Sequence, residues 1–82
     1  MIRIVHEKEN RRSAAYDGGR EIGCCEYELS PGGWIVTHTE TDPAYGGQGV
    51  GRRLVQCLAE AAEAERVALD ASCSFARKVL GL

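Results

Sequence analysis

The sequence lacks the features that carry a chain into or across a membrane. No segment approaches the roughly 18 consecutive apolar residues that a membrane-spanning helix needs. The first residues do not combine a basic start with the apolar run of a secretion leader. Repeats, low-complexity stretches and linkers are also missing. We therefore expect a cytoplasmic protein with no membrane partner.

An excess of positive charge is missing as well. Ten Lys and Arg residues stand against twelve Asp and Glu residues, which leaves a net charge of −2. Such a chain has no general attraction for nucleic acid or for an anionic membrane surface. At 82 residues it is also too short for two independent hydrophobic cores. We expect one domain, residues 1–82, that binds no nucleic acid.

The four cysteines have neither the spacing of a metal site nor the context of a disulfide framework. No Cys-x-x-Cys pair is present, and the side chains of the neighbours Cys24 and Cys25 would point to opposite faces of a strand. Without a secretion leader, free thiols are the expected state. We predict no metal site and assign Cys24 and Cys57 to buried packing.

The first half of the chain has the alternating and β-branched patterns of strands. Turn-forming residues at Asp17-Gly18-Gly19 and at Ser30-Pro31-Gly32-Gly33 divide these strands into hairpins. The predicted strands are Ile2 to His6, Ser13 to Tyr16, Glu21 to Leu29 and Trp34 to Thr41. Within the third strand, the side chains expected to face the core are Ile22, Cys24 and Tyr27.

The second half changes to a helical period. Apolar residues recur along one helical face from Val50, at Leu54, Cys57, Leu58 and Ala61, which predicts an amphipathic helix that ends near Glu65. A short strand, Val67 to Leu69, follows, and then a final helix from Ser72 to Leu80, with Ser72 or Ser74 near its cap. The sequence therefore predicts an α+β domain.

A glycine-rich segment, Gly46-Gly47-Gln48-Gly49-Val50-Gly51, joins the last strand of the first half to this helix. Glycines let backbone N–H groups turn toward a ligand, and a helix N-terminus adds unpaired donors and partial positive charge. Arg52 and Arg53 follow in the first helical turn, where cations oppose the helix dipole unless an anion offsets them. The segment predicts a pyrophosphate cradle; the alternative is a flexible turn followed by two solvated arginines.

Two common phosphate motifs do not fit the glycine spacing. Gly46 and Gly51 satisfy the glycines of a P-loop, but Arg52 and Arg53 stand where that motif needs Lys and then Ser or Thr. No three glycines here have the spacing of the dinucleotide-binding G-x-G-x-x-G pattern. A nucleotide hydrolase and a dinucleotide-binding domain are therefore disfavoured.

The glycine segment resembles the acyl-CoA loop of the GNAT superfamily of N-acetyltransferases, Gln/Arg-x-x-Gly-x-Gly/Ala at the start of a helix. Gly49-Val50-Gly51 matches the second half of that pattern, whereas Gly46 occupies its first position. The segments His38 to Pro43, Gly47 to Gly51 and Cys73 to Phe75 together are similar to the minimal single-domain GNAT-like subgroup.

This resemblance implies a mixed, mainly antiparallel sheet, with a central helix after the glycine-rich loop and a short C-terminal helix. It also implies that the strand ending near Thr41 splays from the Val67 strand, so that the pantetheine arm of acetyl-CoA lies between them and the pyrophosphate rests on the glycine loop. The residues it assigns to acetyl-CoA are Thr39, Thr41, Gly46, Gly47, Gln48, Gly49, Val50, Gly51, Arg52 and Arg53.

Three side chains are candidates for the chemistry of acetyl transfer. On a regular strand, His38 and Glu40 would share the face of Trp34 and Val36. His38 would shuttle a proton and Glu40 would orient the amine, or both are ordinary polar strand residues. The resemblance implies that Cys73 lies beside the acetyl group, across from His38. Its expected role is proton donation or positioning, with a covalent acetyl-cysteine as the alternative.

The resulting prediction is an enzyme that transfers acetyl from acetyl-CoA to the primary amine of a small molecule or peptide. One alternative is a non-catalytic acyl-CoA binding or sensing module, and another is a small protein-interaction domain whose glycine-rich turn is merely structural. Acidic residues near the expected cleft favour a cationic acceptor: Glu26, Glu28, Glu40 and Asp42.

Overall fold

The computed structural model describes all 82 residues of the chain. Its elements, in chain order, are β1 (Ile2–Glu7), β2 (Arg12–Asp17), β3 (Arg20–Ser30), β4 (Gly33–Thr41), α1 (Val50–Glu65), β5 (Ala68–Ala71) and α2 (Ser74–Leu80). Single 3-10 turns occur at Lys8–Asn10 and Pro43–Tyr45. The predicted α+β class is confirmed, and α1 begins and ends where the apolar period indicates.

The strands form one sheet in the order β1-β2-β3-β4-β5. The first four strands are antiparallel neighbours joined by short connections, so both predicted hairpins are present. β5 pairs with β4 in parallel, which requires a crossover, and α1 supplies it. The sheet is therefore mixed and mainly antiparallel, as the resemblance implies.

One face of the sheet carries α1 and the hydrophobic core. The helix buries Val50, Leu54, Val55, Leu58 and Ala62. Of the other predicted core residues, Ala61 is half-buried against the core cluster, and Cys57 is half-buried outside it. The buried hydroxyl of Ser13 donates a 2.8 Å hydrogen bond to the carbonyl oxygen of Leu54, so this polar group has a partner inside the core. α1 thus both stabilises the sheet and carries the glycine-rich loop at its N-terminus.

The predicted inward direction of Cys24 is wrong. The pairing of β2 with β3 shifts register between Ala15 and Tyr16, which leaves Ile22 as an extra residue in β3. This bulge interrupts the alternation of faces, so that Ile22 and Cys25 both belong to the core cluster. Cys24 lies outside that cluster and is 8% exposed. A bulge depends on pairing with another strand, and period-2 reasoning along one strand cannot include it.

The last two elements begin later than the sequence pattern indicates. β5 covers Ala68–Ala71, and α2 begins at Ser74. The N-cap of α2 is Cys73, with φ −74° and ψ 123°, and Ser72 and Ser74 lie on either side of it. The expectation of a serine near the cap is therefore confirmed, and the thiol lies directly at the start of α2.

The four cysteines are free thiols in this fold. No group of His, Cys, Asp and Glu side chains is arranged to hold a metal ion. No helix of the structure has the length and apolar character needed to span a bilayer.

Gly33 is required where β4 begins beside β5. Its φ is +143°, and a Cβ at this position would overlap the carbonyl oxygen of Ala68 and lie 2.9 Å from the carbonyl carbon. We expect Gly33→Ala to lower the free energy of unfolding by about 2 kcal/mol, because backbone atoms of the sheet must move. Urea unfolding measures this change.

Gly32→Ala is the matched control for Gly33→Ala. Gly32 has no positive φ, and nothing lies within 4 Å of its added Cβ. Its substitution is expected to change stability by less than about 0.5 kcal/mol. Equal urea midpoints for the two variants would contradict the close approach of β4 and β5 at Gly33.

Candidate functional site

An extra residue in β4 determines which side chains face the core beyond Val36. Tyr27 pairs with Val36 and Glu26 pairs with His38, so Thr37 is bulged out of the ladder. Beyond it, the side chains of Thr39 and Thr41 turn toward the helical face of the sheet, where they approach Cys25 and Gly51. The shared face expected for a regular strand is therefore not formed.

His38 and Glu40 lie on the opposite face of β4. Their side chains are 52% and 72% exposed, and His38 Nε2 lies 3.4 Å from Glu40 Oε1. The structure thus brings these two candidates together. It places them across the strand from Thr39, and Thr39 in turn is the residue that contacts Cys73. One face of β4 carries an imidazole and a carboxylate, and the other carries hydroxyls and a thiol.

β4 and β5 separate at the same point. Their pairing ends with Val36 and Ala71, where the carbonyl oxygen of Val36 accepts hydrogen bonds from the amides of Ser72 (2.9 Å) and Cys73 (3.3 Å). Residues 38–41 of β4 continue to pair with β3 alone. The backbone edge that they turn toward β5 is open, and an extended ligand that carries amides can pair with such an edge.

The loop between β4 and α1 is anchored at its first half only. Asp42 caps the 3-10 turn by accepting a 2.9 Å hydrogen bond from the amide of Ala44, and its other oxygen pairs with Arg20 at 2.8 Å. The hydroxyl of Tyr45 donates to the carboxylate of Asp17 at the β2–β3 turn. The amide of Gly46 donates to the carbonyl oxygen of Pro43 at 3.1 Å, whereas the amides of the next three residues, 47–49, make no hydrogen bond within the protein and are available to a ligand.

The N-terminus of α1 has no capping side chain. Gly49 is the N-cap, with φ +73°, and the first turn contains no acidic residue. The first helical hydrogen bond runs from the amide of Arg53 to the carbonyl oxygen of Gly49 at 3.1 Å. The amides of Val50, Gly51 and Arg52 therefore have no partner within the helix. Unpaired donors at the positive end of a helix dipole are the elements of an anion site.

These amides border a cavity of about 410 Å³ between the loop and α2. Two of its lining residues, Arg52 and Lys78, are charged, and no acidic residue lines it. Neither cation has an acidic partner within salt-bridge distance, whereas several exposed cations elsewhere are paired, among them Lys8, Arg20 and Arg77. A cavity whose only charged lining residues are cations, in a chain with more acidic than basic residues, favours an anionic ligand.

Close packing of α2 brings Lys78 to this cavity. A Cβ on Gly51 would lie 3.1 Å from the ring of Phe75, so the absence of a side chain at Gly51 allows the two helices to approach. Phe75, Lys78 and Val79, at the i, i+3, i+4 spacing of one helical face, line the cavity wall. Lys78 is not among the residues predicted from the sequence. Its helical spacing from Phe75 is the pattern that would have indicated it.

The structure divides the two neighbouring arginines. Arg52 lines the cavity, whereas the side chain of Arg53 is turned to β1, where its Nη2 donates to the carbonyl oxygen of Ile2 at 3.5 Å. Gln48 is also absent from the cavity lining. Of the residues assigned to acetyl-CoA by resemblance, seven line this cavity: Thr41, Gly46, Gly47, Gly49, Val50, Gly51 and Arg52.

Cys73 lies at the opening between β4 and β5, half-buried. Its sulfur is 3.8 Å from Thr39 Oγ1. Burial raises the pKa of this thiol, but the amides of Ala76, Phe75 and Thr39, together with the Thr39 hydroxyl, lower it by more, so the thiol is more acidic than an ordinary cysteine. The Cys73 side chain nevertheless makes no capping hydrogen bond to the first turn of α2.

Arg77, one helical turn after Cys73, has other partners than this thiol. Its guanidinium donates to the carbonyl oxygen of Ala71 at 2.9 Å and lies 3.4 Å from the carboxylate of Asp70. Backbone dipoles and one hydroxyl, rather than a neighbouring cation, therefore lower the pKa of Cys73.

A second cavity, of about 430 Å³, adjoins the end of β4 on the side of β3. The charged residues that line it are all acidic, Glu21, Glu40 and Asp42. Thr41 lines both cavities, so the C-terminal end of β4 separates a cationic cavity from an acidic one. The arrangement offers an anion site and a cation site on either side of the end of β4.

Solved structures with the same architecture include acetyltransferases. A ribosomal-protein-alanine N-acetyltransferase from Brucella melitensis biovar Abortus 2308 has a TM-score of 0.67 and 21% identity, over 85% of this chain and 59% of that one. An acetyltransferase from Trypanosoma brucei has a TM-score of 0.65 and 20% identity, over 92% of this chain and 64% of that one. At these identities the likeness establishes the fold.

An aminoglycoside acetyltransferase from an uncultured soil metagenomic sample shares this fold at a TM-score of 0.64 and 10% identity, over 88% of this chain and 58% of that one. The chain thus spans less than two thirds of the length of these solved relatives. Among curated protein sequences, none matches it.

The fold and the glycine-loop cavity together define a GNAT-like domain. Residues 11–81 match the family model of the GCN5-related N-acetyltransferases. The chain belongs to this family.

The separation of Arg52 from Arg53 generates a matched pair of variants. Arg52→Ala is expected to weaken the binding of coenzyme A by roughly 3- to 10-fold, because it removes one of the two cations that line the anion cavity. Isothermal titration calorimetry measures the dissociation constant. Arg53→Ala, which removes an equal charge one residue away, is expected to change binding less than about twofold. Equal losses in the two variants would contradict the cavity as the site.

Proposed function

We propose that this chain is an acetyl-CoA-dependent N-acetyltransferase that acts on a primary amine in the cytoplasm. The observation that carries the proposal is the uncapped N-terminus of α1. It opens into a cavity whose only charged lining residues are cations, beside the unpaired edge of β4. The matches to the family and to acetyltransferase structures support the same activity. Free thiols at all four cysteines suit a reducing compartment.

The residues present fit the phosphate groups of coenzyme A. The amides of the glycine loop and of the first turn of α1 would bind the pyrophosphate, with Arg52 and Lys78 supplying positive charge. Gly46 stands where the family has Gln or Arg, so backbone donors replace a side-chain contact at that position. Gln48 and Arg53 have no part in this binding mode, since neither lines the cavity.

The open edge of residues 38–41 suits the pantetheine arm. Its amides would pair with the backbone of β4 as an added strand does. The separation of β4 from β5 at Val36 leads from this edge to Cys73 and Thr39. When bound there, acetyl-CoA supplies the acetyl thioester for transfer.

The two faces of β4 divide the proton transfers. On the exposed face, His38 would take up a proton from the amine, and Glu40 would orient the amine or accept the proton through water. On the other face, Cys73 would give its proton to the departing thiolate. A thiol that is more acidic than usual gives up its proton readily to a thiolate of ordinary basicity.

The acidic cavity supports a cationic acceptor. Glu21 and Asp42 are paired with Arg12 and Arg20, whereas Glu40 has only His38 as its neighbour. A protonated amine would bind beside Glu40 and lose its proton to His38. Both small-molecule and peptide amines meet this requirement.

A non-catalytic acyl-CoA sensor is the second candidate. It is favoured by the exposure of His38 and Glu40, which no buried group holds in place. Both candidates bind acetyl-CoA, but only an enzyme releases coenzyme A thiol in proportion to added amine. A thiol-detection assay with polyamines and lysine peptides separates them. A protein-interaction domain with a structural turn would bind no coenzyme A.

Coenzyme A is expected to raise the melting temperature by mass action, and dephosphorylated pantetheine is expected to raise it much less. Gly49→Asp should abolish the shift, because a carboxylate would enter the anion site. Gly18→Asp is the control, since Gly18 has a similar φ of +65° and the same open space but lies in the β2–β3 turn. Thermal shift assays measure the melting temperature of the unsubstituted protein and of both variants with each ligand. Equal shifts from coenzyme A and pantetheine would contradict phosphate binding by the glycine loop.

Cys73→Ala is expected to lower turnover at least about 10-fold while leaving coenzyme A binding within about twofold, the signature of a group that acts in the transition state. Initial rates of thiol release and calorimetry provide the two numbers. Equal losses of turnover and of coenzyme A binding would show that Cys73 only lines the binding site. Stoichiometric acetylation of Cys73 by acetyl-CoA alone, discharged by amine at the turnover rate, would replace the direct route by a covalent one.

A further inference from the structure

The hydroxyl of Thr39 lies between two thiols. Its Oγ1 is 3.5 Å from the sulfur of Cys25 and 3.8 Å from the sulfur of Cys73, both within hydrogen-bond range for sulfur. Cys25 is the cross-strand partner of Thr39 in the β3–β4 ladder and is fully buried. The contact between Cys25 and Thr39 is therefore built into the strand register.

A hydroxyl has one proton to donate and lone pairs to accept with. Between two sulfurs it can donate to one and accept from the other. Burial raises the pKa of Cys25 to about 11, so this thiol keeps its proton at neutral pH and can donate it. The more acidic Cys73 carries the sulfur that better accepts a hydrogen bond from Thr39.

We propose that Cys25 is a positioning residue, whose S–H donates to Thr39 Oγ1 and thereby directs the Thr39 hydroxyl proton to the sulfur of Cys73. The two hydrogen bonds, from Cys25 to Thr39 and from Thr39 to Cys73, lead from the core to the opening between β4 and β5. Its value for acetyl transfer rests on the proposed function, but the orientation of the hydroxyl and its effect on Cys73 do not.

Among the side chains around Cys25 and Cys73, only Thr39 is placed to lower the pKa of Cys73 by a hydrogen bond. On α2 and β5, Arg77 is paired with Asp70. On β4, His38 points to the other face, beside Glu40. The thiols of Cys24 and Cys57 act on Cys25 as weak charges only when ionised, and burial raises the pKa of both. The remaining groups that lower the pKa of Cys73 are backbone amides, which substitutions at Cys25 do not remove.

The test measures the titration of Cys73 in variants of Cys25. Native protein is alkylated briefly with iodoacetamide across a pH series, quenched, unfolded and labelled with a heavy isotope of the reagent. Trypsin then releases residues 67–77, in which Cys73 is the only cysteine, so mass spectrometry reports this thiol alone. The pH dependence of the alkylation rate yields its pKa.

Cys25→Val fills the core without a donor, and Cys25→Ser retains a donor. We expect Val to raise the pKa of Cys73 by about half a unit and Ser to leave it unchanged or lower it. Cys25→Ala replaces Val where Val does not fold. Unchanged values in the donor-free variants, or equal rises in these variants and Ser, would overturn the proposal, since packing alone would then explain Cys25.

Thr39→Val provides the matching control. Without the hydroxyl, the pKa of Cys73 should rise, and replacing Cys25 in this background should change it no further. In the unchanged protein, the infrared S–H stretch of Cys25 should move to lower frequency as Cys73 ionises; a constant frequency would also overturn the proposal. Because alkylation needs neither acetyl-CoA nor an amine, failure here is distinguishable from failure of the proposed acetyl transfer.

Discussion

The single extra residue at Thr37 in β4 controls the relation between the core and the two faces of the site. Before it, Trp34 and Val36 face α1 and contribute to the core. After it, Thr39 and Thr41 take that face and His38 and Glu40 take the other. The pairing of β4 with β5 ends at the same point, where the carbonyl oxygen of Val36 accepts from the amides of Ser72 and Cys73. One irregularity therefore both assigns the side chains to their faces and opens the strand edge.

Opposite charges are separated at the C-terminal end of β4. Thr41 borders a cavity whose charged walls are cationic and another whose charged walls are acidic. A net charge of −2 averages over these two regions and so conceals both. An anionic donor and a cationic acceptor would be attracted to different sides of one strand, which keeps each from the site of the other.

Local patterns predicted the parts of this structure that depend on neighbours in sequence. The helix from Val50 to Glu65 and the hairpin turns are such parts, and so is the glycine loop at a helix start. Contacts between distant residues produced the differences. The bulge at Ile22 moved Cys25 rather than Cys24 inward, and the turn of α1 separated Arg53 from the cavity. Lys78 reaches the cavity only because Phe75 packs on Gly51, an approach that no single segment encodes.

The features of the glycine loop that would support binding also cost the unliganded domain stability. Gly49 in the left-handed region offers no capping side chain, and Arg52 opposes the helix dipole with no acidic partner nearby. A turn selected for structure alone would carry Ser, Asp or Asn at the cap and an acid in the first turn. A bound polyanion supplies what both positions lack, because it accepts from the free amides and neutralises Arg52. In a domain with so small a core, this compensation would make the folded state itself depend measurably on its ligand.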